Sequence, residues 1–113
     1  MSTLYKLALA HGASYADRAG SPVSRSLWQK IQAEDASFQA IETLQGRNPR
    51  TGEIIDMPCP YSAQWQGHPD NIPVSFIYHE QWIEVAWADE HVLQKAQEVA
   101  KRLGTDIYQK PFD

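Results

Sequence analysis

The stretch that decides the fold is Ile72-Pro73-Val74-Ser75-Phe76-Ile77-Tyr78, then His79-Glu80-Gln81, then Trp82-Ile83-Glu84-Val85-Ala86-Trp87. Both halves alternate with a period of two, the spacing at which strand side chains return to one face of a sheet. Ile72, Val74, Phe76 and Tyr78 share one face of the first half. Ile83, Val85 and Trp87 share one face of the second, leaving Trp82, Glu84 and Ala86 on the other. A short polar break between two alternating runs predicts an antiparallel hairpin.

Downstream of this hairpin the period changes to that of a helix. Asp89 is a good N-cap and Glu90 suits the positive end of the helix dipole. Val92, Ala96, Val99, Ala100 and Leu103 form an apolar stripe, Lys101 and Arg102 fall in the last turn, and Gly104 ends the helix. Thr105 to Gln109 can return as a strand, and a right-handed crossover would lay it parallel to Trp82–Trp87.

Upstream, Gln39–Gln45 and Glu53–Met57 flank Gly46-Arg47-Asn48-Pro49-Arg50-Thr51-Gly52, whose Asn, Pro and Gly content predicts a tight connection and a second hairpin. Pro58-Cys59-Pro60 should interrupt pairing, leaving Tyr61–Gln66 as a short edge strand. The first half reads as helical: Leu4, Leu7 and Ala8 share a helical face that Gly12 can end. Ser21 and Pro22 can then open a helix carrying Val23, Leu27, Trp28 and Ile31 as far as Ala33.

The expected class is therefore α+β: a curved, mainly antiparallel sheet of four to six strands with two or three helices. Its N-terminal part is helical and its C-terminal part is a strand-helix-strand unit. At 113 residues the chain fits a single domain spanning 1–113. A chain of that length buries roughly two thirds of its unfolded surface, so it needs no disulfide or metal staple. With Cys59 as the single cysteine an internal disulfide is impossible, and no apolar run approaches the length of a bilayer span. A secretory leader is not expected either, because Lys6 interrupts the apolar stretch Leu4–Ala10, and the cytoplasm is the default location.

Charge is unevenly spread within a net −4. Residues 53–94 hold Glu53, Asp56, Asp70, Glu80, Glu84, Asp89 and Glu90 with no Lys or Arg, alongside Trp65, Trp82 and Trp87. Such a field repels nucleic acid and attracts basic proteins, and it also serves plainly as a solvated face. Aromatic side chains ringed by carboxylates are the composition of a hot spot for an Arg- or Lys-rich partner. The residues expected to make that contact are Glu80, Trp82, Glu84, Asp89 and Glu90, with Asp56 and Asp70 as further contacts.

Catalytic chemistry is thinly represented. His68, Asp70, His79 and Glu80 have ligand types suited to a divalent metal, but neither pair belongs to a recognised zinc pattern with a second half. Cys59 between two prolines lacks a helix N-terminus to activate it and reads as a structural thiol. Glu84 framed by tryptophan could be an acid with a raised pKa, but no second carboxylate pairs with it from sequence. No catalytic residue, metal or cofactor is assigned.

Two resemblances can be stated. The run Gly46-Arg47-Asn48-Pro49-Arg50-Thr51-Gly52-Glu53, continued by Ile55 and Pro58, resembles the DNA-binding arm of the histone-like HU and IHF proteins. That likeness implies Pro49 as a wedge between base steps and Arg47 and Arg50 as phosphate contacts. It stops where Pro58-Cys59-Pro60 begins, and no Lys or Arg follows Arg50 until Lys95, so turn chemistry is the preferred account of the run. In size, acidity and aromatic content the whole chain is similar to small bacterial immunity proteins of toxin–immunity pairs. That resemblance implies a cytoplasmic antitoxin that binds and neutralises a basic toxin domain, with no role for nucleic acid or membrane. A small metal-dependent hydrolase using His68, Asp70, His79 and Glu80 is the alternative, followed by a DNA-associated protein using the Arg47–Arg50 turn.

Overall fold

The computed structural model describes residues 5–11 and 22–111. In chain order the elements are β1 (Tyr5–Ala10), α1 (Arg25–Glu34), β2 (Phe38–Arg47), β3 (Ile54–Trp65), β4 (Val74–His79), β5 (Trp82–Ala88), α2 (Glu90–Leu103) and β6 (Asp106–Pro111). The class is α+β: one six-stranded sheet in the order β2-β3-β4-β5-β1-β6, with every neighbouring pair antiparallel, and two helices among the described residues. None of the described helices is long and apolar enough to cross a membrane.

The hairpin read at 72–87 is present. Phe76 pairs with Val85 and His79 with Trp82 across a two-residue connection. The first strand begins at Val74 rather than Ile72, and Ile72 is exposed. Val74, Phe76, Ile83 and Val85 are fully buried on the face that the helices cover. On the opposite face stand Trp82, Glu84 and Ala86, so the two tryptophans of β5 do point to opposite sides.

α2 follows its sequence signals closely. The Asp89 carboxylate accepts from Val92 N–H at 3.0 Å, and Gly104 ends the helix with φ +73°. Its stripe Val92, Ala96, Val99, Ala100 and Leu103 lies buried against the sheet. Full burial of a Val or Leu side chain contributes about 1.5–3 kcal/mol, so this stripe alone anchors the helix.

Four expectations need correction. Leu7 and Ala8 lie in β1, not in a helix; Leu4 and Gly12 fall outside the described residues. Tyr5–Ala10 is too short for a helix to be stable alone. As a strand it gains two ladders, one to β5 and one to β6, and sends Leu7 and Leu9 into the core. Second, the next helix starts at Arg25 with Ser24 as N-cap, whose hydroxyl accepts from Leu27 N–H at 3.2 Å. Pro22 precedes it, and Ser21 lies outside the described residues. Ser24 is as good a cap as Ser21, and Val23 is needed elsewhere: its N–H donates to Glu80 O at 2.9 Å.

Third, Tyr61–Gln66 is not an edge strand. Pro58-Cys59-Pro60 slips the ladder without ending it, so one strand runs from Ile54 to Trp65 and sits between β2 and β4. Ile41 pairs with Ser62 and Thr43 with Pro58, so a bulge in β3 absorbs the prolines' missing donors. Fourth, β6 pairs with β1 rather than beside Trp82–Trp87. It runs in the same direction as β5, but β1 is inserted between them. The sequence of the crossover carries no mark of that third strand.

The bulge also divides β2 and β3 into a body and an arm. Below it, Phe38 pairs with Trp65 inside the core; beyond it, Thr43–Arg47 pair with Ile54–Pro58 and with no third strand. The tip is the expected turn: Arg50 N–H donates to Asn48 Oδ1 at 2.9 Å, and Gly52 N–H, at φ +72°, donates to Asn48 O at 2.8 Å.

Candidate functional site

The expected contact residues fall into groups at the two ends of β5. Six strand steps of about 3.3 Å set Trp82 and Ala88 roughly 20 Å apart. Glu80, Trp82 and Glu84 gather at the start of the strand, while Asp70, Asp89 and Glu90 gather at its far end. Asp56 belongs to neither, since it lies on the arm.

The far end is knit together around a buried histidine, with a smaller hollow of about 410 Å³ beside it against Trp65, Gly67, Pro69 and His91. His68, with its side chain 1% exposed, is enclosed by the rings of Trp65, Trp87 and His91. Its Nδ1 accepts Asp70 N–H at 3.0 Å, so the proton of the neutral ring sits on Nε2 and is donated to Asp89 Oδ2 at 2.7 Å. The other Asp89 oxygen caps α2. Burial opposes ionisation of Asp89, but the hydrogen bonds from His68 and Val92 outweigh it and hold the carboxyl below its ordinary value. Both ring nitrogens of His68 are engaged, which leaves no lone pair to accept a substrate proton. An Asp–His pair that looks like the base of a catalytic set is here a pin between the 66–73 loop and the helix cap.

Neighbouring contacts tighten this end further. Trp65 Nε1–H donates to Ser37 Oγ at 3.2 Å, and Ser37 donates to Asp35. Asp35 also pairs with Lys95 of α2, and Arg102 of α2 pairs with Glu34 of α1. Burial opposes the charge of Asp35, and the hydrogen bonds from Lys95 and Ser37 reverse that, lowering its pKa. A Cβ on Gly67 would lie 2.7 Å from Trp65 Nε1, so only glycine lets the loop pass the indole.

The other end is open. A cleft of about 950 Å³ lies between the start of α1 and the β4–β5 turn, lined among others by Val23, Arg25, Tyr61, Tyr78, Glu80 and Trp82. The Tyr78 hydroxyl donates to Val23 O at 2.9 Å, and burial pushes this phenol above its usual pKa. The Tyr61 ring packs edge-on to Tyr78 and lies under the Arg25 guanidinium, 4.6 Å from the ring centre. His79 stacks on Trp82, and its Nε2 is 3.9 Å from Glu84.

Two lining residues hold left-handed backbone without being glycine, Tyr61 at φ +66° and Glu80 at φ +42°. Such conformations cost of order 1–3 kcal/mol and gather at binding and active sites. Tyr61 is held by its neighbours, because its carbonyl accepts Trp28 Nε1–H at 2.7 Å and Gln32 Nε2–H at 3.1 Å. Glu80 occupies the first position of the two-residue connection, where glycine is normally preferred.

The proposed metal set is not assembled. His68 and Asp70 precede β4, whereas His79 is its last residue and Glu80 follows it, so the length of the strand separates the pairs. Among the described residues no three His, Cys, Asp or Glu side chains meet in a way that could hold a metal ion. Cys59 is buried at the bulge. Sequence reasoning missed Tyr61 and Arg25; the signal available for Tyr61 was its position directly after a proline pair that could not sit in a regular ladder.

These features define a class: a sheet-and-helix protein with an open aromatic cleft at one end. Compared with protein-family models, curated proteins and solved structures, the chain gives no match to any of them.

Proposed function

We infer that this protein works by holding another protein, in the manner of an immunity protein that neutralises a basic toxin domain. The contact is placed at the cleft end of β5. The observation that supports this most is the cleft itself, whose wall combines Tyr61, Tyr78 and Trp82 with Glu80. Tyr and Trp carry much of the energy of protein interfaces because they bury large rigid surfaces, and a carboxylate beside them selects a cationic side chain on the partner. Glu80 and Glu84 also speed encounter with a basic surface. Asp89 is withdrawn from the contact set, since its carboxylate is shared between His68 and the helix cap. Asp70 and Glu90 act at most through their long-range field.

The test is co-expression with the product of the adjacent reading frame. A stable one-to-one complex that weakens in salt is expected. A neighbour that shows no binding at low ionic strength would remove the immunity role.

A further inference from the structure

The β2–β3 arm serves neither the core nor the partner contact. Five residue pairs make it, from Thr43 with Pro58 to Arg47 with Ile54. The ladder puts Leu44, Gly46, Ile55 and Met57 on one face, and Met57 Cε lies 3.2 Å from where a Gly46 Cβ would stand. Alternation along β2 from buried Phe38 makes this the side on which α1 packs. Yet Ile55 is 45% and Met57 49% exposed. A two-stranded ribbon alone is marginal in water, and this one leaves Ile55 and Met57 exposed side by side on one face and Ile54, 58% exposed, on the other. At the tip, Arg47 and Arg50 make no ion pair among the described residues. At the base, Pro60 and Tyr61 line the cleft that carries Glu80.

We propose that two copies of this chain pair through their arms. The arms lie antiparallel, apolar face against apolar face, and each tip's Arg50 meets Glu80 at the other copy's cleft. The geometry follows from the ribbon: it is roughly 15 Å long, and antiparallel overlap about a two-fold axis lays the tip of one arm at the base of the other. There Arg50 meets Glu80, on the part of the cleft wall from residues 78–82 that has no Lys or Arg, while Arg25 of the same cleft lies over the Tyr61 ring. The same overlap covers Ile55 and Met57 on both copies. A duplex is a poorer occupant, because Glu53 at the tip and Asp56 on the arm offset its two arginines. The dimer closes the cleft, so it is a stored form that a toxin-like partner must dissociate.

Sedimentation velocity of the full chain tests this without any partner, so the result is independent of the immunity reading. The native protein should pass from monomer to dimer as its concentration rises. Ile55→Glu and Arg50→Glu should each weaken the dimer at least about tenfold, by burying a charge in the apolar overlap and by opposing like charges. The double variant Arg50→Glu with Glu80→Arg should regain most of the lost affinity, a rescue that a merely structural role does not give. As a second measurement, Arg50→Cys protein mixed with Glu80→Cys protein, both carrying Cys59→Ala, should form a disulfide-linked heterodimer with oxidised glutathione. A native chain that stays monomeric at every concentration, or a dimer unmoved by these substitutions, overturns the proposal.

Discussion

The two ends of β5 use similar residue types to opposite ends. At the Ala88 end, a histidine, carboxylates and tryptophans satisfy one another: His68 spends both nitrogens, Asp89 both oxygens, and Gly67 leaves the chain only enough room to pass Trp65. At the Trp82 end, two tyrosines, a tryptophan, a histidine, an arginine and one carboxylate help line a volume of about 950 Å³, and two residues keep strained backbone. Composition does not separate the two ends. Saturation of hydrogen bonding does: it fits stability at one end and, on the proposed function, recognition at the other.

The largest effect that could break this contrast is on stability. Asp89→Ala removes the α2 cap and leaves the His68 Nε2–H buried without its acceptor, so a loss of about 2–4 kcal/mol is expected in urea unfolding. A loss below about 0.5 kcal/mol would mean that the pin does not hold the fold.

A smaller effect tests the same end by pH. The Asp89 carboxyl is held below its ordinary value, so its stabilisation is complete above the unfolded-state pKa, about 3.9, and is lost as pH falls through the lower folded-state value. Asp89→Asn should flatten that acid limb in unfolding midpoints measured from roughly pH 6 to pH 2. Asp35, lowered in the same direction, keeps the remainder of it. An unchanged limb would show that Asp89 ionises alike in both states.

The smallest effect has the opposite sign. Glu80→Gly places glycine where φ is +42°, and should raise stability by about 0.5–1 kcal/mol while weakening the partner complex. A gain in stability with no loss of binding would separate the strain from recognition.

Periodicity and capping made much of this fold legible beforehand. Val74–Trp87 alternates and forms a hairpin, and Asp89 and Gly104 bound α2. The N-terminal strand was not legible, because Leu4, Leu7 and Ala8 satisfy a helical spacing while Leu7 and Leu9 equally satisfy that of a strand. The choice is made by β5 and β6, which are distant in sequence. The β3 bulge was half legible: the Pro58–Pro60 pair marks a break in pairing, but only neighbouring strands decide whether the chain ends there or slips. Of the candidate contacts, Glu80, Trp82 and Glu84 do lie near one another. Asp89 was legible as the α2 N-cap, but its bond to His68 was not, because nothing in the sequence sets that ring against the carboxylate.

The central claim is that the partner is held at the Trp82 end. Calorimetric titration of the adjacent reading frame's product against matched charge reversals tests it directly. Glu80→Lys should raise Kd at least about tenfold, whereas Asp70→Lys and Glu90→Lys should each stay within about threefold. The reverse order, or equal effects at both ends, would contradict the account.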